Sequence, residues 1–439
     1  MSLKDKKPKL LIHTSYIGTG GYNQHARDFF RHLSKLIDVK VRNFTIGHKW
    51  NGMCDEPHNG EPYLNDLDKK LLNYQCLWKN ESKGEMVTED IYSNYKNGFK
   101  HNVNIILNET NHHFFYHDYI GPKIGYNVWE STLQPEGFFN KWNEFDQLWV
   151  PSQWQAKCTI AQGADPNKVK VVPEGVDVDV FFPENVELLD EYNDNKFKFL
   201  LFGRWDYRKS TKEIIETFLS TFSPDEDVEI VVSIDNAFSG DGIESTEERL
   251  KHFKINDKRV KIKHFPSRED YISYLKTGHI FLSCARSEGW NLPLIEAMAC
   301  GTPSIYSKCS GQMEFAEGKG LPVKILGEKQ AADADYNHFN DVVGNYYEPD
   351  FDDLAVVMRD AFENYMDHKI KALEDAKLIH RNFNWDKIAE IGKNTLVDFL
   401  KNYKEPKDEN KIIVTYNDGP KVEIKGDLNR EYLIEFIDK

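Results

Sequence analysis

Two glutamates stand eight residues apart in a stretch that carries almost no other charge. The segment RSEGWNLPLIEAMACGTP runs from Arg286 to Pro303 and places Glu288 and Glu296 on either side of GWNLPLI. Asn291 can cap a helix and Pro293 suits its first turn. LIEAMAC continues with good helix formers, and Gly301 stands where a C′ glycine belongs. The unit therefore reads as strand, loop, helix, strand. Glu288 lies in the loop and Glu296 about one turn into the helix. The free N–H groups from Trp290 to Leu294, Pro293 excepted, suit an anionic ligand. A phosphate placed there would be repelled by both carboxylates, so these must serve hydroxyl groups instead. That describes a ligand with sugar hydroxyls on both sides of a phosphate bridge. The plainer reading makes Glu288 a solvated charge and Glu296 a complement to the helix dipole.

A diphosphate needs cations as well as amides. FGRWDYRKS (202–210) supplies Arg204, Arg208 and Lys209 at the end of another strand. Arginine offers a fork to phosphate oxygens and lysine a point charge. Position at a strand's carboxyl end favours Arg204 and Lys209, with ordinary surface charge as the competing account. The loop GTGGYN (18–23) follows the first strand and lets backbone approach a ligand closely. It fails as a dinucleotide fingerprint: Asn23 stands at the third glycine, and the second strand ends in VRNF without an acidic residue. A tight turn explains it equally well.

These residues need a scaffold. KLLIHTS, a glycine loop, the helical HARDFFRHLSKL and the strand DVKVRNF give a β-α-β order that predicts a parallel α/β sheet. Further strands are expected at 103–107, 123–129, 147–152 and 169–173. The second half repeats the style, with strands at 196–204, 228–234, 260–265, 279–284 and 302–306 and a helix at 212–222. Residues 46–100 read as an insertion with some helix and no motif. The fold class is thus α/β, with two doubly wound domains facing across a cleft and the ligand outside the carboxyl ends of their strands. The expected divisions are 1–188 for the first domain, 189–381 for the second, 382–404 for a long helix and 405–439 for a β-rich tail, which packs on the body or opens a further domain.

Composition bounds the rest. The chain has 439 residues, 40% apolar and 13% aromatic, with a net charge of −15. That acidity argues against nucleic acid as a main partner. Six cysteines at 54, 76, 158, 284, 300 and 309 form no Cys-x-x-Cys pair and no zinc spacing. Few, scattered cysteines suggest a reducing compartment. No apolar run approaches the ~20 residues needed to span a bilayer. The expectation is a cytoplasmic protein, with peripheral contact to a membrane face left open and the oligomeric state undetermined.

EGWNLPLIEAMACGTPSI resembles the E-x7-E signature of retaining GT-B glycosyltransferases of family four, usually written EGFGLP..EAMACG.P. GTGGY, WVPSQW, VVPEGVDVDVF and FGRWDYRKS resemble that family's Gly-Gly loop, serine strand, PNGVD segment and G-R-x-x-x-x-K stretch. The resemblance covers about residues 1–400. It implies that Arg204 and Lys209 neutralise a nucleotide diphosphate leaving group, with Gly203 beside them. It implies that Glu296 holds ribose hydroxyls, and that Glu288 with the amides of Gly289, Trp290, Asn291 and Leu292 holds the transferred sugar and phosphates. Gly20 and Gly21 would approach the donor from the first domain. Trp290 and Asn291 replace the family's aromatic-glycine pair, which makes GWN the place to look for donor preference.

The resemblance also implies a reaction: sugar transfer, with retention, from a nucleotide-diphosphate sugar to a glycan or lipid-linked acceptor. Developing charge on the diphosphate is met by fixed cations and helix amides, which requires no metal and no cofactor. The D-x-D strings Asp177/Asp179 and Asp333/Asp335 are expected by chance in so acidic a chain. On the acceptor side the candidates are His112, His113, His117 and Glu130, each of which could equally be structural. The rival readings are a catalytically silent glycan- or nucleotide-binding partner, and another GT-B activity such as a sugar-phosphate synthase.

Overall fold

The computed structural model describes residues 8–18, 20–44, 64–76, 103–108, 122–184, 196–236, 241–265, 267–331, 343–404, 411–415, 421–425 and 433–436. His112, His113, His117, Asp333 and Asp335 lie outside the described residues.

The first sheet has seven strands: β1 (Lys9–Thr14), β2 (Asp38–Phe44), β3 (Leu72–Cys76), β4 (Val103–Leu107), β5 (Lys123–Tyr126), β6 (Gln147–Val150) and β7 (Val169–Val171). Their order is β3-β2-β1-β4-β5-β6-β7, and each neighbouring pair is parallel. The central strands are covered on both faces, so β1 and β4 are buried without alternation, and His13 and Asn104 pair with each other inside them. The edge strand β3 falls in the stretch that the sequence left without a motif. Its residues LNYQC lack the apolar continuity of a buried strand.

The second sheet has six strands: β8 (Phe197–Phe202), β9 (Val228–Ser233), β10 (Val260–Ile262), β11 (Ile280–Ser283), β12 (Ser304–Ser307) and β13 (Leu321–Val323). Their order is β10-β9-β8-β11-β12-β13, again all parallel. In each sheet the strand order reverses beside its first strand. That reversal opens a crevice at the carboxyl ends of β1 and β4, and another at those of β8 and β11. The glycine loop leaves β1. The Arg204–Lys209 loop leaves β8, and the Glu288 loop leaves β11.

The long helix expected over 382–403 is the helix Trp385–Asn402, and a separate helix, Tyr365–Phe383, precedes it across Asn384. The Asn384 backbone is extended and its side chain accepts from the Lys387 N–H at 2.9 Å, so it starts the second helix afresh. Trp385, Ile388, Ala389, Leu396 and Leu400 of that helix share one core with Leu10, Phe29, Phe30 and Trp149 of the first sheet unit. Gly392 permits the approach, because a Cβ there would meet Phe29 Cζ at 2.8 Å.

A second link is the antiparallel hairpin of β14 (Ile325–Gln330) and β15 (Asn345–Pro349). Val343 and Asn345 beside it bond to Ser131 and Thr132 of the first unit, and Trp129, Ala331, Val343 and Tyr346 pack together. The tail forms β16 (Lys411–Thr415), β17 (Lys421–Lys425) and β18 (Leu433–Phe436), a three-stranded antiparallel sheet. Among the described residues no helix is long and apolar enough to cross a membrane.

Candidate functional site

The Leu292–Ala299 helix begins at Asn291, whose φ is +92°. Most residues are strained there, whereas asparagine and glycine tolerate it. Asn291 therefore occupies a position in which glycine would also fit. Its side chain adds what glycine cannot: Oδ1 accepts the Leu294 N–H at 3.4 Å, and Nδ2 donates to Ser283 Oγ at 2.8 Å and Gln312 Oε1 at 2.7 Å. Trp290 is turned the other way. It is 2% exposed and packs on Phe315 and Phe383 at ring distances of 5.1 and 5.9 Å. Its indole is a core anchor for the loop, which leaves the donor contact expected of Trp290 to its backbone N–H. Only its backbone faces the helix N-terminus, so GWN does not present a tryptophan side chain for donor selection.

The loop around Glu288 is held tightly. Glu288 N–H donates to Ser310 Oγ at 2.9 Å, and its carbonyl accepts from Gly311 at 2.8 Å. A Cβ on Gly311 would lie 1.9 Å from the Gly289 carbonyl oxygen, and one on Gly289 would meet Val128 Cγ1 at 2.5 Å. The glycine at 289 is thus needed for backbone contact across the two sheet units. Arg286, buried at the start of the same loop, braces it against the loop after β8. It donates to the Tyr207 carbonyl, to Ser210 Oγ, and to Glu213 and Glu348.

The carboxylate of Glu288 meets two cations. Lys209 Nζ donates to Oε1 at 2.5 Å, and Arg208 Nη1 lies 3.0 Å from Oε2. Arg208, ranked below Arg204 and Lys209 from the sequence, is the more central. It is 1% exposed, donates to the Ser287 carbonyl at 2.8 Å, and reaches Glu130 Oε1 of the first unit at 3.3 Å. Burial pushes the Glu288 carboxyl up, but Arg208 and Lys209 outweigh that and hold it below the ordinary carboxylate range. Arg204 is half-exposed and lies 3.5 Å from Asp206. Gly203, at φ +145°, opens the space beside it. Gly203, Arg204, Lys209, Thr211, Ser283 and Asn291 line one cleft at the carboxyl ends of β8 and β11.

Glu296 is buried beneath the other side of the helix start. Its Oε1 accepts from Gln24 Nε2 at 2.7 Å and its Oε2 from the Tyr271 hydroxyl at 2.6 Å. Burial raises its carboxyl above the usual range, against the opposing pull of Arg268 and its hydrogen bonds to Tyr271 and Gln24. Gln24 belongs to the Gly21–Ser34 helix. Gly20 caps that helix, and Gly21 opens it without crowding at its Cβ position. Asn23, which broke the dinucleotide pattern, folds the glycine loop instead. Its Oδ1 accepts from Gly20 N–H at 2.9 Å, and its Nδ2 donates to the Ser15 and Ile17 carbonyls.

Two groups escaped the sequence reading. Glu174, 3% exposed, has its Oε2 3.6 Å from His25 Nδ1. Burial, then the charges of Glu130 and Glu288, push its carboxyl far up. Burial lowers His25 to about 3, and its ring sits against Tyr126 and Trp385. The available signal was the acid in VVPEGVD, where the resembled segment has asparagine. Asp177 spends its carboxylate on the Asp179 N–H at 3.1 Å.

Residues 186–335 match the family model of glycosyl transferases group 1. That stretch contains Arg204, Lys209, Glu288 and Glu296. The chain is similar to the Schizosaccharomyces pombe phosphatidylinositol N-acetylglucosaminyltransferase gpi3 subunit, with 22% identity over 227 residues, 52% of this chain and 42% of the relative. It spans well under two thirds of the length of the curated relatives it matches. Among solved structures it resembles Anabaena HepE in complex with UDP and glucose, at TM-score 0.67 and 14% identity over 89% of this chain and 100% of that one. It also resembles sucrose-phosphate synthase from Thermosynechococcus elongatus, at TM-score 0.61 and 16% identity over 90% and 100% of the two chains. The fold is GT-B: two parallel α/β units facing across a cleft.

Proposed function

We propose that this chain is a retaining glycosyltransferase of the family-four type, moving a sugar from a nucleotide-diphosphate sugar to a glycan or lipid-linked acceptor. One observation carries the reading. Glu288 and Glu296 flank a single helix N-terminus at a strand-order reversal, with Lys209 and Arg204 on the opposing loop of the same crevice. In this reading a diphosphate lies between the amides and the cations, and Glu288 and Glu296 serve the sugar hydroxyls on either side of it, alongside the protein partners they already have. The group 1 family match over the same residues supports it, as does the likeness in fold to a protein solved with UDP and glucose.

In this reading, cleavage of the anomeric bond puts negative charge on the departing diphosphate and positive charge on the sugar. Arg204, Lys209 and the amides at the helix start stabilise the former without rearranging, which is electrostatic catalysis by fixed groups. Glu288, kept ionised by Arg208 and Lys209, faces the latter. Arg208 is a positioning residue, since it acts through Glu288 and Glu130. In this reading the fixed cations and amides carry the charge stabilisation, with no metal or cofactor taking part. Acceptor recognition falls to Glu130 and the first unit.

The test is donor turnover and transfer with UDP-, GDP- and ADP-sugars against free sugar phosphates and glycan or lipid-linked acceptors. Wild type should turn over one donor, and Lys209→Ala and Glu296→Ala should each lose about 10²-fold or more in kcat/KM. Full activity in both variants would refute the site. Nucleotide binding without transfer to any acceptor would favour a silent binding protein. Transfer to a sugar phosphate alone would favour a synthase.

A further inference from the structure

Both carboxylate oxygens of Glu296 already accept a hydrogen bond. Oε2 accepts from Tyr271 of the Arg268–Thr277 helix, a partner within the same sheet unit. Oε1 accepts from Gln24, which stands one turn into the first helix of the other unit. The Gln24 amide oxygen in turn accepts from Arg268 Nη1 at 3.0 Å, and Arg268 Nη2 lies 3.6 Å from Glu296 Oε1. Gln24, Arg268 and Glu296 thus close a ring across the cleft in which only Gln24 comes from the first unit. Arg268 rests over the Phe181 ring at 5.4 Å with its side chain 42% exposed, so its guanidinium borders solvent and the cleft.

A ribose hydroxyl and the Gln24 amide are both neutral hydrogen-bond donors, and a carboxylate oxygen in a buried site has few open directions. Tyr271 is fixed by local packing among Phe181, Phe202 and Phe265. The partner that can leave is the one on the opposite unit. We propose that Gln24 is a donor-site residue supplied by the first unit, holding the place on Glu296 that a ribose hydroxyl of a nucleoside diphosphate takes. This rests on the reading that Glu296 binds ribose. Nucleotide binding then releases the tie between the units and frees Arg268, so Gln24 sets donor affinity by competing with the donor.

The experiment compares wild type with Gln24→Ala and Gln24→Asn in the full chain. Calorimetric titration uses UDP, GDP and ADP, then the 2′,3′-dideoxy form of whichever binds. Removing a competing neutral hydrogen bond should tighten binding about two- to tenfold. The gain should vanish with the dideoxy nucleotide. Weaker binding by Gln24→Ala would overturn the proposal and make Gln24 a direct contact of the bound nucleotide. Equal affinities would overturn it as well. A second arm needs no ligand: amide hydrogen exchange over residues 21–30 and 268–277 should quicken in the variants, and unchanged exchange refutes the tie. If neither wild type nor variants bind any nucleotide, the donor reading and the competition both fall, while the exchange arm still decides whether Gln24 joins the units.

Discussion

Arg208 offers the sharpest test of how the site is held. Its side chain is 2% exposed and contacts Glu288, Glu130 and the Ser287 carbonyl. Arg208→Met keeps the apolar stem and removes the charge, leaving Glu288 buried with Lys209 alone. Breaking a buried ion pair by removing one partner costs about 3–5 kcal/mol. At roughly 2–4 °C per kcal/mol for a unit of this size, the melting temperature should fall on the order of 10 °C. The double variant Arg208→Met/Glu288→Gln removes the stranded charge as well and should recover at least about 1 kcal/mol. The pH dependence has a definite sign. In wild type Glu288 is held below the ordinary carboxylate range, so its contribution is present above that range and lost as pH falls. Without Arg208, burial raises the carboxyl, and ionising it costs stability as pH rises. The gap between variant and wild type should therefore narrow as pH drops toward about 4. Thermal unfolding by circular dichroism from pH 4 to 8 reads all three. An unchanged melting temperature, or strictly additive losses in the double variant, would refute the account.

Other predictions follow from single positions. Asn291→Gly should cost about 1–3 kcal/mol, because glycine accepts the positive φ but leaves the buried Gln312 amide oxygen without its donor, and Asn291→Ala should cost about 1–2 kcal/mol more through backbone strain, as denaturant midpoints would show. Gly311→Ala puts a Cβ 1.9 Å from the Gly289 carbonyl oxygen and should destabilise by more than about 3 kcal/mol and abolish nucleotide binding together. His25 is buried neutral, with its folded value lowered to about 3, so its contribution is full above about 6.5 and lost as pH falls from there toward 3. His25→Phe should flatten that part of the stability profile, and an unchanged slope in a pH-jump unfolding series would contradict it. Lys209→Met should weaken binding of nucleoside diphosphates far more than of nucleosides, measured by calorimetry.

The chemistry-bearing stretch was legible because its constraints are local. Asn291, Pro293 and Gly301 mark a helix by capping and turn preferences that act over three or four residues. The apolar runs of β1, β4, β8 and β9 announce strands covered on both faces. From these the α/β class, the two cleft-facing loops and the pairing of Glu288 with Glu296 around one helix start could be read in order. The edge strand β3 and the β14–β15 hairpin could not, because LNYQC, ILGEKQ and NYYEP carry no clean apolar period.

What only the tertiary structure decided is which neighbours each charged group has. Arg208 and Lys209 are adjacent in sequence, and nothing local says that Arg208 is sealed between Glu130 and Glu288. Trp290 lies between two candidate site residues, yet packing on Phe315 and Phe383, distant in sequence, turns it into the core. The Glu174 carboxyl is pushed up and the His25 imidazole down only because folding removes water from both. Gln24 meets Glu296 across 272 residues of chain. Backbone conformation follows from forces acting within a few residues, so sequence determines much of it. Burial and ion pairing depend on distances set by the whole fold, and those decide what each side chain in the cleft can do.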